Sequence, residues 1–166
     1  MEFSIETQRL LLRPFSVDDA FAYFQMTRDP DIQIYIPGAC PDTLKETRHH
    51  IETYYTKCDF KRDFYLIIEE KESHQIVGFI EITLEPRGKD FDCCYFIHKR
   101  HRRKGYLKEM LPAFLEKVYS PGMDIYFSIE ATNTPSLTFI RNMDNVSEIA
   151  NSSYYVFLYQ GKQKKR

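Results

Sequence analysis

The chain predicts an α/β (α+β) fold: a mixed, mostly antiparallel sheet of six to seven strands flanked by about four helices. Three observations predict it. Short runs rich in β-branched and aromatic residues are separated by polar turns, as in DFYLIIEE and IVGFIEITL joined by KESHQ, which reads as a hairpin. Two capping-box starts, Ser16 with Asp19 and Thr43 with Glu46, introduce helices in the N-terminal third. One strand, FDCCYFIH, passes into a helix before the next strand begins, and that crossover makes the sheet mixed.

The elements follow in order. RLLLRPF, Arg9 to Phe15, is a first strand. After Ser16, the residues Val17, Ala20, Phe21 and Phe24 fall on one helical face. RDPDIQIYIPGACP carries three prolines and a glycine and reads as an irregular loop. Thr43 opens a helix with Leu44, Thr47, Ile51 and Tyr54 on one side. The hairpin follows, then the turn EPRGKD, then FDCCYFIH. The next helix lines up Leu107, Met110, Leu111, Phe114 and Val118, with a kink expected at Pro112 because proline lacks the amide donor. DIYFSIEA is a strand, Thr134 caps a short helix with Pro135 at its first position, and roughly Val146 to Gly161 is a closing hairpin. KQKKR is a charged tail.

With 166 residues and no linker, repeat or low-complexity tract, residues 1–166 are expected to form one domain. A composition of 43% hydrophobic and 28% charged residues is globular, and no apolar run approaches the ~20 residues that span a bilayer. The start lacks a signal-peptide pattern, and Cys40, Cys58, Cys93 and Cys94 lack disulfide or zinc spacing, so a cytoplasmic location with reduced thiols is expected. Cys93, Cys94, His98 and His101 invite a metal. Neighbouring strand residues point to opposite faces, however, so the reading is no metal, with one cysteine in the core and the other opposite.

The stretch most loaded with chemistry is HKRHRRKGYLKEML, His98 to Leu111. Six consecutive cationic or ionisable residues, Lys99 to Lys104, precede Gly105 and a helix N-terminus. Unpaired amides and the helix dipole converge there on an anion, so a phosphate-bearing guest is expected. The net charge of −1 makes this turn a local feature and argues against a nucleic-acid-binding protein.

In these residues the chain resembles the GNAT superfamily of acetyl-CoA-dependent N-acetyltransferases, and most of all its ribosomal-protein-alanine acetyltransferase-like branch. IETQRLLLRPFSVDDA is similar to that branch's first strand and helix, and IVGFIEIT to a strand with glycine at Gly78. CCYFIHKRHRRKGYLKEML resembles the motif R/Q-x-x-G-x-G/A, with Arg102 and Gly105 in the first two positions, and NTPS resembles N-x-x-S. Leu107 stands where glycine or alanine is usual, Ile140 where tyrosine or glutamate is frequent, and Asp144 and Asn145 where a Gly-Phe pair is usual.

The resemblance implies acetyl-CoA as co-substrate, held between FDCCYFIH and DIYFSIEA. It places the pantetheine arm on backbone at Ile97 and Lys99 and near Asn133 and Ser136. It places the pyrophosphate on amides from Arg102 through Arg103, Lys104, Gly105 and Tyr106 to Leu107, with charge-assisted help from Arg102, Arg103 and Lys104. The acceptor it implies is a primary amine, on a small molecule or a peptide N-terminus, that attacks directly. The backbone N–H near Ile97 is the expected oxyanion donor. Candidate bases are the strand carboxylates, Glu130 first, Asp92 second, with Glu81 also weighed; each also reads as a solvent-facing strand residue. Ser136, Tyr154 or Tyr155 are candidates to protonate the thiolate, against a bland reading as cap and packing residues. Asp29, Asp31 and Tyr35 in the irregular loop are candidates to meet a cationic amine. Three alternatives stay open: an acyl-CoA-binding domain without turnover, suggested by Leu107 and Ile140; a nucleic-acid module using residues 98–104; and a solvated basic face with no ligand. A homodimer also stays open, and no membrane partner is expected.

Overall fold

The computed structural model describes residues 3–39, 41–57, 59, 62–84 and 90–161. Its strands are β1 (Ile5–Glu6), β2 (Leu10–Pro14), β3 (Asp63–Glu70), β4 (Gln75–Leu84), β5 (Asp90–Ile97), β6 (Asp124–Glu130), β7 (Val146–Asn151) and β8 (Tyr154–Tyr159). They form one sheet in the order β1-β2-β3-β4-β5-β6-β8-β7. Every neighbouring pair is antiparallel except β5 and β6, which the crossover makes parallel. The expected mixed, mostly antiparallel sheet is therefore present, with one short edge strand more than the sequence announces. Cys40, Cys58, residues 85–89 of the EPRGKD turn and the tail after Gly161 lie outside the described residues.

Alternation along the strands loads both faces of the sheet. Leu66, Ile68, Ile80 and Ile82 face α4 (Tyr106–Val118), which buries Met110, Leu111, Phe114 and Leu115 against them. Each such side chain contributes roughly 1.5–3 kcal/mol. Pro112 sits inside this continuous helix. Ile67, Phe79 and Phe96 face the other way, onto α1 (Ala20–Thr27), α2 (Pro30–Tyr35) and α3 (Leu44–Thr53), which contribute Ala20, Tyr23, Met26, Ile32 and Ile51.

The capping boxes form as expected. Ser16 accepts from the Asp18 amide while the Asp19 carboxylate accepts from the Ser16 amide, and Thr43 and Glu46 exchange the same pair of bonds. Asp19 also takes a bidentate contact from Arg13, whose Nε donates to Glu69 at 2.8 Å, so the first helix is clamped to β3.

Three local expectations are corrected. The buried stripe of α1 is Ala20, Tyr23, Met26 and Thr27, whereas Phe21 is exposed, because a short 3-10 turn over Val17–Asp19 shifts the helical phase. The proline-rich loop contains α2, which Asp29 caps from just before Pro30. The last helix, α5 (Thr134–Arg141), is capped by Asn133 rather than Thr134, the Asn133 Oδ1 accepting from the Ser136 amide at 3.3 Å.

Candidate active site

The site begins where two strands part. β5 and β6 pair only at Asp90 with Asp124, Phe91 with Ile125 and Asp92 with Tyr126. Beyond that, β5 stays in register with β4 as far as Ile97, and β6 stays with β8 as far as Glu130, so a wedge opens between them. Tyr95 fills part of it, edge-on to Phe127 at 6.2 Å and to Phe139 of α5 at 5.7 Å. The His98 amide donates to the Val77 carbonyl, which turns the backbone of Phe96 and His98 toward β4. By alternation, Tyr95 and Ile97 turn their N–H and C=O toward the wedge. Gly78 lets the end of β5 lie close, since a Cβ there would stand 2.6 Å from the Phe96 carbonyl and from the Ile97 side chain.

Two cavities, of about 530 and about 610 Å3, occupy the wedge and its flanks, and both are lined by Tyr35, Ile36, Tyr95, Asn133 and Ser136. The C-terminal end of α2 and the start of α5 therefore pinch the gap where the cavities meet. The Tyr35 hydroxyl donates to the Thr132 carbonyl at 3.3 Å, which ties α2 to the far side.

The larger cavity is basic. Ile97, His101, Arg102, Arg103, Gly105, Tyr106, Leu107 and Lys108 line it, with Asp31 at its edge. Lys99–His101 form a 3-10 turn, and the chain reaches α4 through left-handed backbone at Arg103 (φ 62) and Gly105 (φ 79). Only Gly105 adopts that conformation without steric cost, and it directs the first amides of α4 outward. Arg9, unremarked in the sequence, lies against this turn: its Nη1 donates to the Lys104 carbonyl and its Nε to Glu109. Leu107, the departure from the glycine or alanine pattern, packs partly against the core while lining the cavity. Lys99 and Lys104 lie outside the lining. His98 and His101 sit below the ordinary imidazole pKa, through burial first and neighbouring cations second, so arginine and lysine carry the positive charge here at neutral pH.

Arg102 lines the basic cavity and also makes contacts across it. Its guanidinium donates to Asp29 at 2.7 Å and Asp31 at 2.6 Å, and its Nε donates to the Ile97 carbonyl at 3.1 Å. Asp29 is buried, so this pair binds α2 to the basic turn. Asp29 and Asp31, candidates to meet an amine, are both paired with Arg102.

The smaller cavity is acidic and aromatic. Glu81, Asp92 and Glu130 line it together with Tyr54, Tyr55, Tyr65, His50 and Tyr154, and among the described residues no lysine or arginine does. Glu81 projects from β4 opposite Cys94, with Asp92 two residues before Cys94 on β5. Burial pushes the Glu81 carboxyl up to about 7, and the charges of Asp92 and Asp63 add to the rise. Glu130, at the end of β6, accepts from the Thr132 hydroxyl at 2.9 Å. Cys93 is buried in the core and Cys94 faces the other side; burial raises both thiol pKa values, so both stay protonated. At the meeting point of the cavities the Tyr95 hydroxyl is buried, and burial raises its pKa, an effect the nearby Ser136 hydroxyl partly offsets. Tyr154 lines the acidic cavity, but Tyr155 does not.

Residues 9–144 match the sequence profile described as an acetyltransferase (GNAT) domain. The chain belongs to the GNAT acetyltransferase family. Solved structures of that fold superpose over nearly its whole length. A GNAT-family acetyltransferase from Bacillus anthracis is 19% identical with a TM-score of 0.78, covering 95% of this chain and 98% of the other. The RimL ribosomal L7/L12 alpha-N-protein acetyltransferase in complex with coenzyme A is 15% identical with a TM-score of 0.75, covering 96% and 98%. FdhC, a nucleotide-linked sugar GNAT, is 17% identical with a TM-score of 0.77, covering 96% and 91%. No curated protein sequence matches the chain.

As a GNAT acetyltransferase the chain is an acyltransferase, and its family uses acetyl-CoA. The basic cavity suits that cofactor: outward-facing backbone at Ile97, helix amides behind a left-handed glycine, and cationic side chains at the rim. No helix among the described residues is long and apolar enough to cross a membrane. Of the expected site residues, Ile97, Arg102 to Leu107 except Lys104, Asn133 and Ser136 gather around the basic cavity, while Asp92 and Glu130 line the acidic one. Glu81, weighed third among the candidate bases, lines the acidic cavity with Tyr95, Tyr65 and His50, which the sequence does not single out, since nothing local in it marks which side chains face a wedge.

Proposed function

We propose that this GNAT acetyltransferase moves the acetyl group of acetyl-CoA onto a primary amine by direct attack. The observation that carries the reading is the polarity of the gap: one end is basic, the other acidic with a carboxyl titrating near 7, and they meet at a pinch lined by Tyr95 and Ser136. Acetyl-CoA supplies an activated thioester whose phosphates suit the basic end. The Arg102 amide closes the 3-10 turn onto the Lys99 carbonyl, so amides from Arg103 to Leu107 hold the pyrophosphate, and Asn133 and Ser136 flank the pantetheine path.

In this reading Glu81 is the base. A carboxylate with a pKa near 7 takes a proton from an ammonium, directly or through water, far better than one at the ordinary value. Asp92 raises its basicity, and Glu130 is the rival base on the facing wall. The Ile97 N–H, turned into the wedge, donates to the carbonyl oxygen as charge gathers there. The protonated Tyr95 hydroxyl donates a hydrogen bond to the departing thiolate, which leaves readily and takes its proton from solvent, and it stands in for a tyrosine on α5, where Ile140 is fully buried in the core. The protonated thiols of Cys93 and Cys94 disfavour an acyl-cysteine.

The test is acetyl-CoA binding by calorimetry together with two-substrate kinetics followed by CoA release. Direct transfer gives intersecting, sequential patterns; parallel patterns or a trapped acetyl-protein would overturn it.

A further inference from the structure

The acidic cavity carries more information than the presence of a base. Its inner wall is a continuous run of rings from α3, the turn after it and β3. His50 stands 4.9 Å from Tyr54 and 4.7 Å from Tyr55, and Tyr55 stacks on Tyr65 at 4.6 Å with 22° between planes. Tyr54 is 57% exposed, so the wall reaches the mouth, where Tyr154, 53% exposed, also lines the cavity. Farther in lie Glu81 and Asp92, one diagonal step apart across β4 and β5. Such a diagonal spans roughly 7–8 Å between Cα atoms, so the two carboxylates make one centre of negative charge.

We infer that the acceptor is an arylalkylamine, a single primary ammonium on a short chain from one aromatic ring; this rests on the transfer reading above. The carboxylate centre takes the ammonium. The ring wall takes the aryl body, by stacking and by edge-to-face contact. The same ring faces attract the cation on its way in. Burial, with the neighbouring His49 adding to it, keeps His50 below its ordinary pKa, so at neutral pH the wall does not repel a cation.

Two other amine classes fit less well. A polyamine carries several cations and calls for carboxylates spaced along its length, but the wall between mouth and floor is aromatic, and the third carboxylate, Glu130, stands on the facing wall and accepts from the Thr132 hydroxyl. A peptide N-terminus brings main-chain groups that need partners. The wall offers ring faces, and the Tyr55 hydroxyl is already engaged with the Tyr23 hydroxyl at 3.2 Å.

The experiment titrates the full chain, with and without saturating CoA, with 2-phenylethylamine, spermidine and an alanine-initiated hexapeptide, and ranks the same three by kcat/KM. The expected result is a preference for 2-phenylethylamine of about tenfold or more in both measurements. Tyr54→Ala and Tyr65→Leu should each raise its KM by about three- to tenfold while the KM for acetyl-CoA stays put. Equal or tighter binding of spermidine or the peptide, or unchanged KM in both variants, overturns the assignment. Failure of the parent chain to bind CoA would instead overturn the transfer reading, while the amine ranking, read in the CoA-free arm, still decides the acceptor class.

Discussion

The two ends of the gap are built by opposite means. The basic end is largely one contiguous stretch, from Ile97 to Lys108, and its principal donors are backbone amides presented by a left-handed turn and a helix start. The acidic end is assembled from α2, α3, β3, β4, β5, β6 and β8, and its chemistry lies in side chains. A backbone-made site tolerates side-chain change as long as the backbone path survives. A side-chain-made site can be remodelled one residue at a time without disturbing the fold. That division lets one cofactor serve many acceptors.

The sharpest way to break this comparison is Gly105→Val. The glycine has φ 79, and a Cβ there would meet only the Arg9 Nη2, at 3.5 Å. Packing therefore leaves room for a side chain, while the backbone does not accept a β-branched residue in that conformation. The turn should deform and CoA affinity should fall by roughly a hundredfold or more, while the melting temperature drops by only about 2–10 °C, the cost of local backbone strain. Calorimetry and thermal unfolding measured together decide it. If Gly105→Val binds CoA normally, the anion site is not the helix start.

Glu81→Gln probes the other end. At pH 7 the rate should drop by roughly a hundredfold, with less loss at pH 9 and above, where more of the amine is neutral without help. In the parent chain, activity should rise with pH through an inflection near 7, because the base works only when ionised. Asp92→Asn removes a charge that raises the Glu81 pKa, so it should move that inflection to lower pH. Stability carries a matching sign. A carboxyl raised from 4.5 to about 7 favours the folded state at low pH and loses that benefit as pH rises through this window. Glu81→Gln should therefore unfold at higher temperature than the parent at pH 8, by an amount worth about 3 kcal/mol at most. If Glu130→Gln costs more activity than Glu81→Gln, the base lies on the facing wall.

The contrast between the ends also explains what could be read from the chain alone. The basic turn is local in sequence, so Lys99 to Gly105 declared themselves by composition and by the glycine. Strand boundaries such as Asp63–Glu70 were legible because alternation and polar turns are local as well. Helix α2 was hidden by its two flanking prolines, although Pro30 at its first position is a helix start once Asp29 is seen as the cap. The acceptor wall was illegible for a deeper reason. Which face of β4 meets the wedge depends on where β5 and β6 separate, and that is set by the long-range pairing of β6 with β8. Glu81 looks like any strand carboxylate until Asp92 and the Tyr55–Tyr65 stack are brought beside it.

The smallest effects concern two adjacent arginines, which the comparison separates. Arg102 spans both ends, since it grips Asp29 and Asp31 while supporting Ile97. Arg103 is exposed at the rim of the basic cavity. Arg102→Ala leaves a buried carboxylate with the Asp31 amide but no cation, so stability should fall by about 1–3 kcal/mol, below the usual cost of a broken buried pair because the arginine is partly solvated. Adding Asp29→Asn should recover part of that loss, the coupling expected of neighbours. With α2 loosened, the amine KM should rise more than the CoA dissociation constant. Arg103→Ala should do the reverse: no change in melting temperature, and a roughly threefold weaker grip on CoA that fades as salt screens the charge. If Arg102→Ala instead weakens CoA more than Arg103→Ala does and leaves stability untouched, the guanidinium serves the phosphates when CoA is bound, and α2 is held across the gap by Tyr35 and Thr132 without it.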